Sequence, residues 1–286
     1  MSYLHCSDVL DIYVEPYIHS GFRLPNQPYS YYYRSLFSLH NETLSIWIHL
    51  VGTFIIVLQT FDHILSTSSP FVISYIIYNC IGACVMLLCS AQAHLFHSRN
   101  LNDHLRSFYI DYLGINFYGF ISGIVHYRFS RVDSSYELFN EPFYYLFLSC
   151  LSLYSLSIAC FSSGTIFVSK LPERFHPGTF DLIGQSHHTF HGFIFLMGFF
   201  QSGATYRDML QMKNQITTRH LLKDITYACV TLTLEILIVY TCLKLSFTRL
   251  EKHYEKDLKK LNKHFNKNNE NAINDKDEQN SIKKIE

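Results

Sequence analysis

The segment SHHTFH, residues 186–191, places three histidines directly before an apolar stretch. His187 and His191 are four residues apart, so on a helix their side chains lie one turn apart on one face and can share a metal ion. Zinc at catalytic sites commonly takes three histidines, with water at the fourth position. The spacing therefore predicts two of the three imidazole ligands of a zinc site.

Further polar residues near the ends of other apolar segments could complete this site. His94 lies near the end of CSAQAHLFHS, with Ser90 one turn earlier on the same face, and Asp111 lies near the start of FYIDYLGI. A carboxylate beside a metal can orient a ligand or act as a base toward water at the metal. Ionisable groups inside a membrane segment are costly and usually have partners. Spacing alone leaves a second interpretation open, in which these side chains and the two histidines are interfacial residues at the ends of spans.

The elements that must position these residues are apolar helices. The chain is 48% hydrophobic and its formal charge is zero, which argues against a nucleic-acid-binding protein. About 20 consecutive apolar residues are needed to cross a bilayer. The six segments that approach this requirement are 44–60, 71–94, 108–126, 143–168, 190–204 and 225–247. The predicted fold is an all-α, multi-pass transmembrane helical bundle of about six spans in a lipid bilayer.

Three details of these spans are specific enough to compare with a structure. Asn41 is the expected cap of the first span, since asparagine is favoured at that position. The fifth span is short unless its helix begins as far back as Gln185. His49, within the first span, is expected to hydrogen-bond a neighbouring helix rather than to bind a metal.

The distribution of charge predicts the domains and their orientation. The domains are a cytosolic N-terminal segment, the bundle with the zinc site, and a polar, partly basic, disordered cytosolic tail, at residues 1–42, 43–248 and 249–286. Arg99 and Arg106, in the short loop after the second span, favour a cytosolic position for that loop. Because successive spans alternate in direction, His94, Asp111 and the histidines of the fifth span then lie at one membrane depth.

Five blocks of the sequence resemble, in order, the signature blocks of a known family. They are HSGFRLPNQP, LFSLHNETLSIWIHL, SAQAHLF, YIDYLGI and LPERFHPGTFDLIGQSHHTFHGF. The family is the progestin and adipoQ receptor family, the relatives of adiponectin receptors and bacterial hemolysin III, and the blocks are most similar to its membrane progestin receptor branch. The resemblance covers residues 14–248 and implies a helical membrane bundle with an intramembrane zinc.

By this resemblance, each predicted site residue has a role. His94, His187 and His191 would ligate Zn2+ near the cytosolic side, with Ser90 and Asp111 close to the water at the metal. The resembled family has seven core helices, eight in its progestin branch, whereas here a single predicted span occupies the interval that holds three in the family. Two helices are therefore expected to be missing, and the loss of an even number leaves the direction of the later spans unchanged.

Three functions remain open from the sequence. The first is a plasma-membrane receptor that binds a steroid (progestin) or other lipid ligand inside the bundle and acts on a cytosolic signalling partner. The second is a zinc-dependent, ceramidase-like lipid amide hydrolase, in which Asp111 and Ser90 would be catalytic. The third is a truncated isoform in which zinc is purely structural. The receptor is preferred, because the resemblance is greatest to the progestin branch.

Overall fold

The computed structural model of the chain describes residues 3–129, 143–147, 149–151, 153–154, 170, 172–212 and 219–246. The chain divides into two compact units, Met1–Leu243 and Lys244–Glu286. The helices belong to the first unit, except for residues 244–246, which complete the last helix.

The N-terminal segment combines two short strands, two turns and one short helix. Strand β1 (Leu4–His5) pairs antiparallel with β2 (Ser20–Phe22). The 3-10 turns Cys6–Asp8 and Asp11–Tyr13 lie between the strands, and helix α1 (Tyr29–Ser35) follows them. Apolar residues of this segment form a small core of their own, so the segment is a folded element rather than a loose tail.

Five long helices make up most of the described part of the chain. They are α2 (Thr43–Leu65), α3 (Pro70–Phe96), α4 (Leu101–Phe129), α5 (Ser186–Met212) and α6 (Arg219–Ser246). Residues 143–147, 149–151 and 153–154 are also helical. The prediction of an all-α helical membrane bundle is confirmed. The number of six spans stays a prediction, because most of segment 143–168 lies outside the described residues.

Among the described helices, α2, α3 and α6 are long and apolar enough to cross a membrane. Helices α4 and α5, with 29 and 27 residues, are also long enough, but their sequences are more polar. The buried residues of α4 include Ser107, Asn116 and Ser122. The Ser107 hydroxyl accepts a hydrogen bond from Gln92 of α3, and the Ser122 hydroxyl accepts one from Gln201 of α5. Polar side chains with protein neighbours are tolerated at membrane depth. The lower hydropathy of α4 is therefore explained by its interior position.

The starts of two helices can be compared with the sequence-based expectations. Helix α5 begins at Ser186, which gives the fifth span the additional N-terminal length it required. Helix α2 begins at Thr43, with Glu42 at the N-cap position and no side-chain capping hydrogen bond. The expectation for Asn41 was wrong, because Glu42 rather than Asn41 occupies the N-cap position. The backbone N–H of Asn41 instead donates to the carbonyl of Gly21 at 3.2 Å.

The helices pack closely at their interior faces. Helix α3 packs against α2 and α4, and α5 packs against α2, α3 and α4. At Gly114 of α4, an added Cβ would lie only 2.8 Å from the Cβ of Cys89 on α3, so the close approach of these helices requires glycine. Helices α3 and α4 are therefore a tightly packed pair.

The outer faces of α2 and α5 are apolar. Phe54, Leu58 and Phe61 on α2 and Phe193 and Phe200 on α5 are all more than half exposed. On α2 they recur every three or four residues and thus form one helix face. Exposed apolar faces of this kind mark an interaction surface, and lipid is the surrounding that a helical membrane bundle provides.

Candidate metal centre

Arg23 of the N-terminal segment binds the end of α3, the helix that carries His94. Its guanidinium donates hydrogen bonds to the carbonyl oxygens of His94 at 2.7 Å and Leu95 at 2.8 Å, and to the hydroxyl of Ser35 at 3.3 Å. The side chain is 2% exposed. The last carbonyls of a helix lack partners within the helix, and positive charge is favourable there. Arg23 therefore fixes the backbone from which His94 projects.

Gly21 lets the N-terminal segment pack against the turn before α5. Its φ of +89° is unfavourable for residues with a side chain, and an added Cβ would lie 2.8 Å from Leu182. Next to this contact, the Ser20 hydroxyl and the His19 backbone N–H donate to the Asp181 carboxylate at 2.6 and 2.9 Å. The blocks HSGFRLPNQP and LPERFHPGTFDLIGQ are therefore in contact through specific hydrogen bonds.

Glu173 defines the start of α5, the helix that carries the other two predicted ligands. Its carboxylate accepts hydrogen bonds from both the backbone N–H and the hydroxyl of Ser186. Burial alone would raise the pKa of the Glu173 carboxyl, but these hydrogen bonds keep that pKa below its ordinary value. A negative charge at a helix N-terminus is also favoured by the helix dipole. The first turn of α5, which includes His187, is thereby held in place.

The structure brings the three predicted ligands together. The Nε2 atom of His191 lies 2.9 Å from Nε2 of His94 and 2.9 Å from Nε2 of His187. All three side chains are buried. Helices α3 and α5 meet with these imidazoles at one level, as the alternation of spans predicted. The Nε2 atoms of the three histidines therefore converge in one buried region.

Two residues near the start of α2 contact the other nitrogens of these rings. The Nδ1 atom of His94 lies 2.8 Å from Oε2 of Glu42, and the Nδ1 atom of His191 lies 2.9 Å from Nε2 of His49. The expectation that His49 contacts a neighbouring helix agrees with this geometry. Glu42 was missed by the sequence argument. Its spacing of seven residues from His49, which places both on one helix face, was the available signal.

The cluster contains two overlapping groups that could hold a metal ion. They are His49, His94 and His191, and Glu42, His94 and His187, with the candidate ligand atoms of each group within 4.8 Å of one another. The predicted ligands His94, His187 and His191 are divided between these groups, which share His94. The buried histidine and glutamate side chains could therefore hold a metal ion, although the groups alone do not select one ligand set.

Asp111 and Ser90, the other predicted site residues, are also buried. The Oδ1 atom of Asp111 has no hydrogen-bond partner among the described residues. The same holds for Oγ of Ser45 and Nδ1 of His49 on α2. Buried polar atoms are rarely left unpaired. Unpaired polar atoms beside converging imidazoles fit a site built to take a further polar group or ion.

The fold and the cluster define a class of protein: a helical membrane protein with a buried, histidine-rich site near one end of its bundle. The sequence matches the Haemolysin-III related family over residues 37–132 and 138–202, and the chain belongs to that family. The resemblance of the signature blocks to the relatives of hemolysin III is thus confirmed.

Several relatives are named membrane progestin receptors. The chain is 24% identical to the membrane progestin receptor beta of Mus musculus over 286 aligned positions, which cover 78% of this chain and 80% of the relative. It is 25% identical to the membrane progestin receptor alpha-B of Danio rerio over 294 positions, covering 79% and 81%. It is 32% identical to the membrane progestin receptor alpha of Cynoscion nebulosus over 131 positions, covering 43% and 36%.

The extent of these alignments bears on the two helices expected to be missing. The alignment with the mouse receptor runs over 286 positions but takes in only 78% of a chain of 286 residues, so many aligned residues of the relative have no counterpart here. Loss of helices from within the bundle would produce such a shortfall. The absence of two helices stays a prediction, since the alignment extent does not locate the gaps.

Proposed function

We propose that this protein is a receptor of the membrane progestin receptor type, in which a steroid or other lipid ligand binds within a bundle that also holds a zinc ion. The names of the relatives support the receptor class. The contacts among the Nε2 atoms of His94, His187 and His191 support the zinc. This convergence of three imidazoles from two helices is the observation that carries the proposal.

The donor set suits zinc. Neutral imidazole is a common zinc ligand, and three histidines with one open position are typical of sites where zinc takes part in chemistry or ligand binding. Calcium and magnesium sites are built from oxygen ligands instead. A bound zinc ion would polarise a ligand carbonyl and lower the pKa of water at the site.

A ligand acts on a receptor by binding one of its conformations more tightly than another. The histidine cluster connects α2, α3 and α5, since each contributes a side chain to it. A lipid ligand packed between these helices would alter their separation, and the ion would couple that change to the histidine end. We assign the N-terminal segment and the tail to the cytosol and the protein to the plasma membrane, so that a cytosolic signalling partner can act on the same side as the cluster.

Binding of a radiolabelled progestin to membranes that contain the protein tests the receptor class. We expect saturable binding that exceeds the binding to membranes of mock-transfected cells and that unlabelled progestin displaces. Binding no greater than that of mock membranes would exclude a progestin as the ligand, and a panel of other labelled lipids would then be compared in the same format.

The metal content of the purified protein tests the zinc site. We expect about one zinc per chain, falling to background in the variant His187→Ala/His191→Ala. His188→Ala is the matched control, since its Nε2 lies 3.3 Å from the carbonyl of Asn41 rather than in the cluster. Equal zinc content in the wild type, the double variant and the control would show that His187 and His191 do not bind the ion.

A hydrolase is the second candidate function, and Asp111 favours it. The unpaired Oδ1 atom of this buried carboxylate could accept a proton from water that attacks a lipid amide such as ceramide, with the buried hydroxyl of Ser90 as the second catalytic group. Purified protein would then release fatty acid from ceramide, and Asp111→Asn would lower the rate about 100-fold or more. No release by the wild-type protein, or equal release by the variant, excludes this function.

A further inference from the structure

We infer that α2 supplies two positioning residues to the metal centre: Glu42 orients His94, and His49 orients His191. The inference rests on the proposed zinc site and adds to it two residues that do not themselves bind the ion. It is based on the neighbours that the Nδ1 and Nε2 atoms of His94 and His191 face.

The ring of His94 presents its two nitrogens to different partners. Its Nε2 lies 2.9 Å from Nε2 of His191, while its Nδ1 lies 2.8 Å from Oε2 of Glu42. The two nitrogens of an imidazole point in different directions, so one can bind a metal while the other is held by a partner. A carboxylate that accepts the Nδ1–H leaves the Nε2 lone pair available for the ion. Glu42 thereby sets both the tautomer and the ring orientation of His94.

The ring of His191 follows the same pattern with an imidazole as its partner. Its Nε2 faces the Nε2 atoms of His94 and His187, and its Nδ1 lies 2.9 Å from Nε2 of His49. Metal binding through Nε2 requires the remaining proton on Nδ1. That proton can be donated to Nε2 of His49, which then carries its own proton on Nδ1. His49 thus favours the tautomer of His191 that can bind the ion.

Helix α2 holds both positioning residues rigidly. Glu42 and His49 are 4% and 2% exposed, and their spacing of two helical turns places them on one face of α2. The backbone N–H of Glu42 donates to Nδ1 of His40 at 3.1 Å, which holds the backbone of this residue. The two carboxylate oxygens have separate neighbours, since Oε2 lies 2.8 Å from Nδ1 of His94 and Oε1 lies 3.4 Å from Nε2 of His97. The carboxylate is therefore held from two sides.

Direct ligation by Glu42 is the competing arrangement, since Glu42, His94 and His187 lie close enough together to hold an ion. An ion between Glu42 and Nδ1 of His94 would displace the 2.8 Å contact between them. It would also lie on the side of the His94 ring away from Nε2 of His191. The positioning role keeps this contact and uses the three Nε2 atoms that already converge, so it is the arrangement the geometry favours.

Zinc affinity of the full-length protein in detergent, measured by competition with a chromogenic chelator, tests the inference. Loss of an orienting partner typically weakens metal binding about 10–100-fold. We expect Glu42→Gln and His49→Ala each to raise the Kd for zinc by about this factor, while one ion per chain still binds at saturation. With Co2+ in place of zinc, both variants should keep a tetrahedral visible spectrum with shifted bands, because the ligands are unchanged and only their orientation is relaxed.

Two control substitutions match these variants in residue type and burial. His63 lies further along α2 and stacks on Tyr206 with the ring centroids 4.0 Å apart, so His63→Ala should leave the Kd unchanged. Glu235 on α6 is fully buried, and Glu235→Gln should likewise leave the Kd unchanged. Should Glu42→Gln not fold, Glu42→Asp replaces it, since the shorter side chain withdraws the carboxylate from the ring.

The outcomes separate this inference from the proposed function. Wild-type protein that binds no zinc overturns the proposed metal site itself. Zinc binding by the wild type with an unchanged Kd in the α2 variants overturns the positioning role alone, even if the metal-free variants unfold at a lower temperature. Loss of the tetrahedral Co2+ spectrum or of stoichiometric binding at saturation would make the substituted residue a ligand, which also overturns the inference.

Discussion

The two ends of α3 contain buried polar clusters of opposite character. At the start of this helix, the hydroxyl of Tyr75 donates to Oδ2 of Asp224 on α6. Arg128 of α4 donates to both oxygens of the same carboxylate, at 2.7 and 3.1 Å, and the Tyr145 hydroxyl also donates to Oδ1. At the other end of α3, about 28 Å away at 1.5 Å per residue, lies the histidine cluster with its unpaired polar atoms.

The difference shows how a structural cluster can be told from a binding site. Each oxygen of Asp224 accepts hydrogen bonds from two donors among the described residues, so this carboxylate is fully engaged. Around the histidines, by contrast, Oδ1 of Asp111 and Nδ1 of His49 have no hydrogen-bond partner among the described residues. A completed network stabilises one conformation, whereas an incomplete one leaves places for a ligand.

The largest effect on stability is expected at the end of α3 that contains the Asp224 cluster, from Arg128→Met. Removing one partner of a buried ion pair leaves an uncompensated charge and typically costs about 3–5 kcal/mol, and the side chains of Arg128 and Asp224 are 8% and 0% exposed. The midpoint of thermal unfolding in detergent should fall sharply, with zinc affinity in the surviving folded protein unchanged. An unaltered midpoint would contradict the view that this cluster is structural, and the double variant Arg128→Met/Asp224→Leu should recover part of the loss.

The next largest effect on stability is expected at the histidine cluster, from removal of the metal. An ion that binds only the folded state at 100 times its Kd stabilises it by about 2.7 kcal/mol. A strong chelator should therefore lower the unfolding midpoint of the wild-type protein. The variant His187→Ala/His191→Ala should not respond to the chelator. Equal responses of the two proteins would show that stabilisation by the metal does not come from this cluster.

A smaller effect on stability is expected from Glu173→Gln, which alters the hydrogen bonds between Glu173 and Ser186 near the histidine cluster. The carboxylate caps the start of α5 through Ser186, and loss of a cap costs about 0.5–2 kcal/mol. The unfolding midpoint should fall by a corresponding amount, with about one zinc still bound per chain. Loss of zinc at unchanged stability would instead place Glu173 in the metal centre.

The smallest effect is expected from the pH dependence of His40. Burial, followed by the nearby Arg23 charge, lowers the pKa of His40 from 6.5 to about 3, so the folded state keeps this imidazole neutral while the unfolded state takes up a proton below about pH 6.5. Stability should therefore fall as the pH falls through the unfolded pKa, by less than about 1 kcal/mol between pH 7 and pH 6. Urea denaturation of His40→Gln should show a shallower slope over this range, and equal slopes would contradict the shift.

The three histidines were predictable because each carries a signal within its own segment. His187 and His191 have helical spacing, and His94 stands at the end of an apolar stretch. The alternation of membrane spans predicted that they lie at one membrane depth, because the lengths of the helices determine that level. The prediction that they meet at one site also required the resemblance to the family.

Glu42, Arg23 and Asp224 were not predictable in the same way. Glu42 precedes the first apolar stretch, where a charged residue is ordinary, and its contact with His94 depends on the rotation of α2 about its own axis relative to α3. Arg23 and Asp224 contact residues far away in the chain, at His94 and Arg128. Sequence periodicity defines which face of a helix is buried but not which residue of another helix it meets.

The hydrogen bond between Ser20 and Asp181 has a consequence for the synthesis of the protein. It joins residues 161 positions apart in the chain. Ribosomes add roughly 5–20 residues each second, so about 8–30 seconds pass between the emergence of the two residues. During that interval His19, Ser20 and Gly21 lack the surface formed by residues near Asp181. The N-terminal segment can therefore complete its contacts only after the half of the chain that carries His187 and His191 has been synthesised.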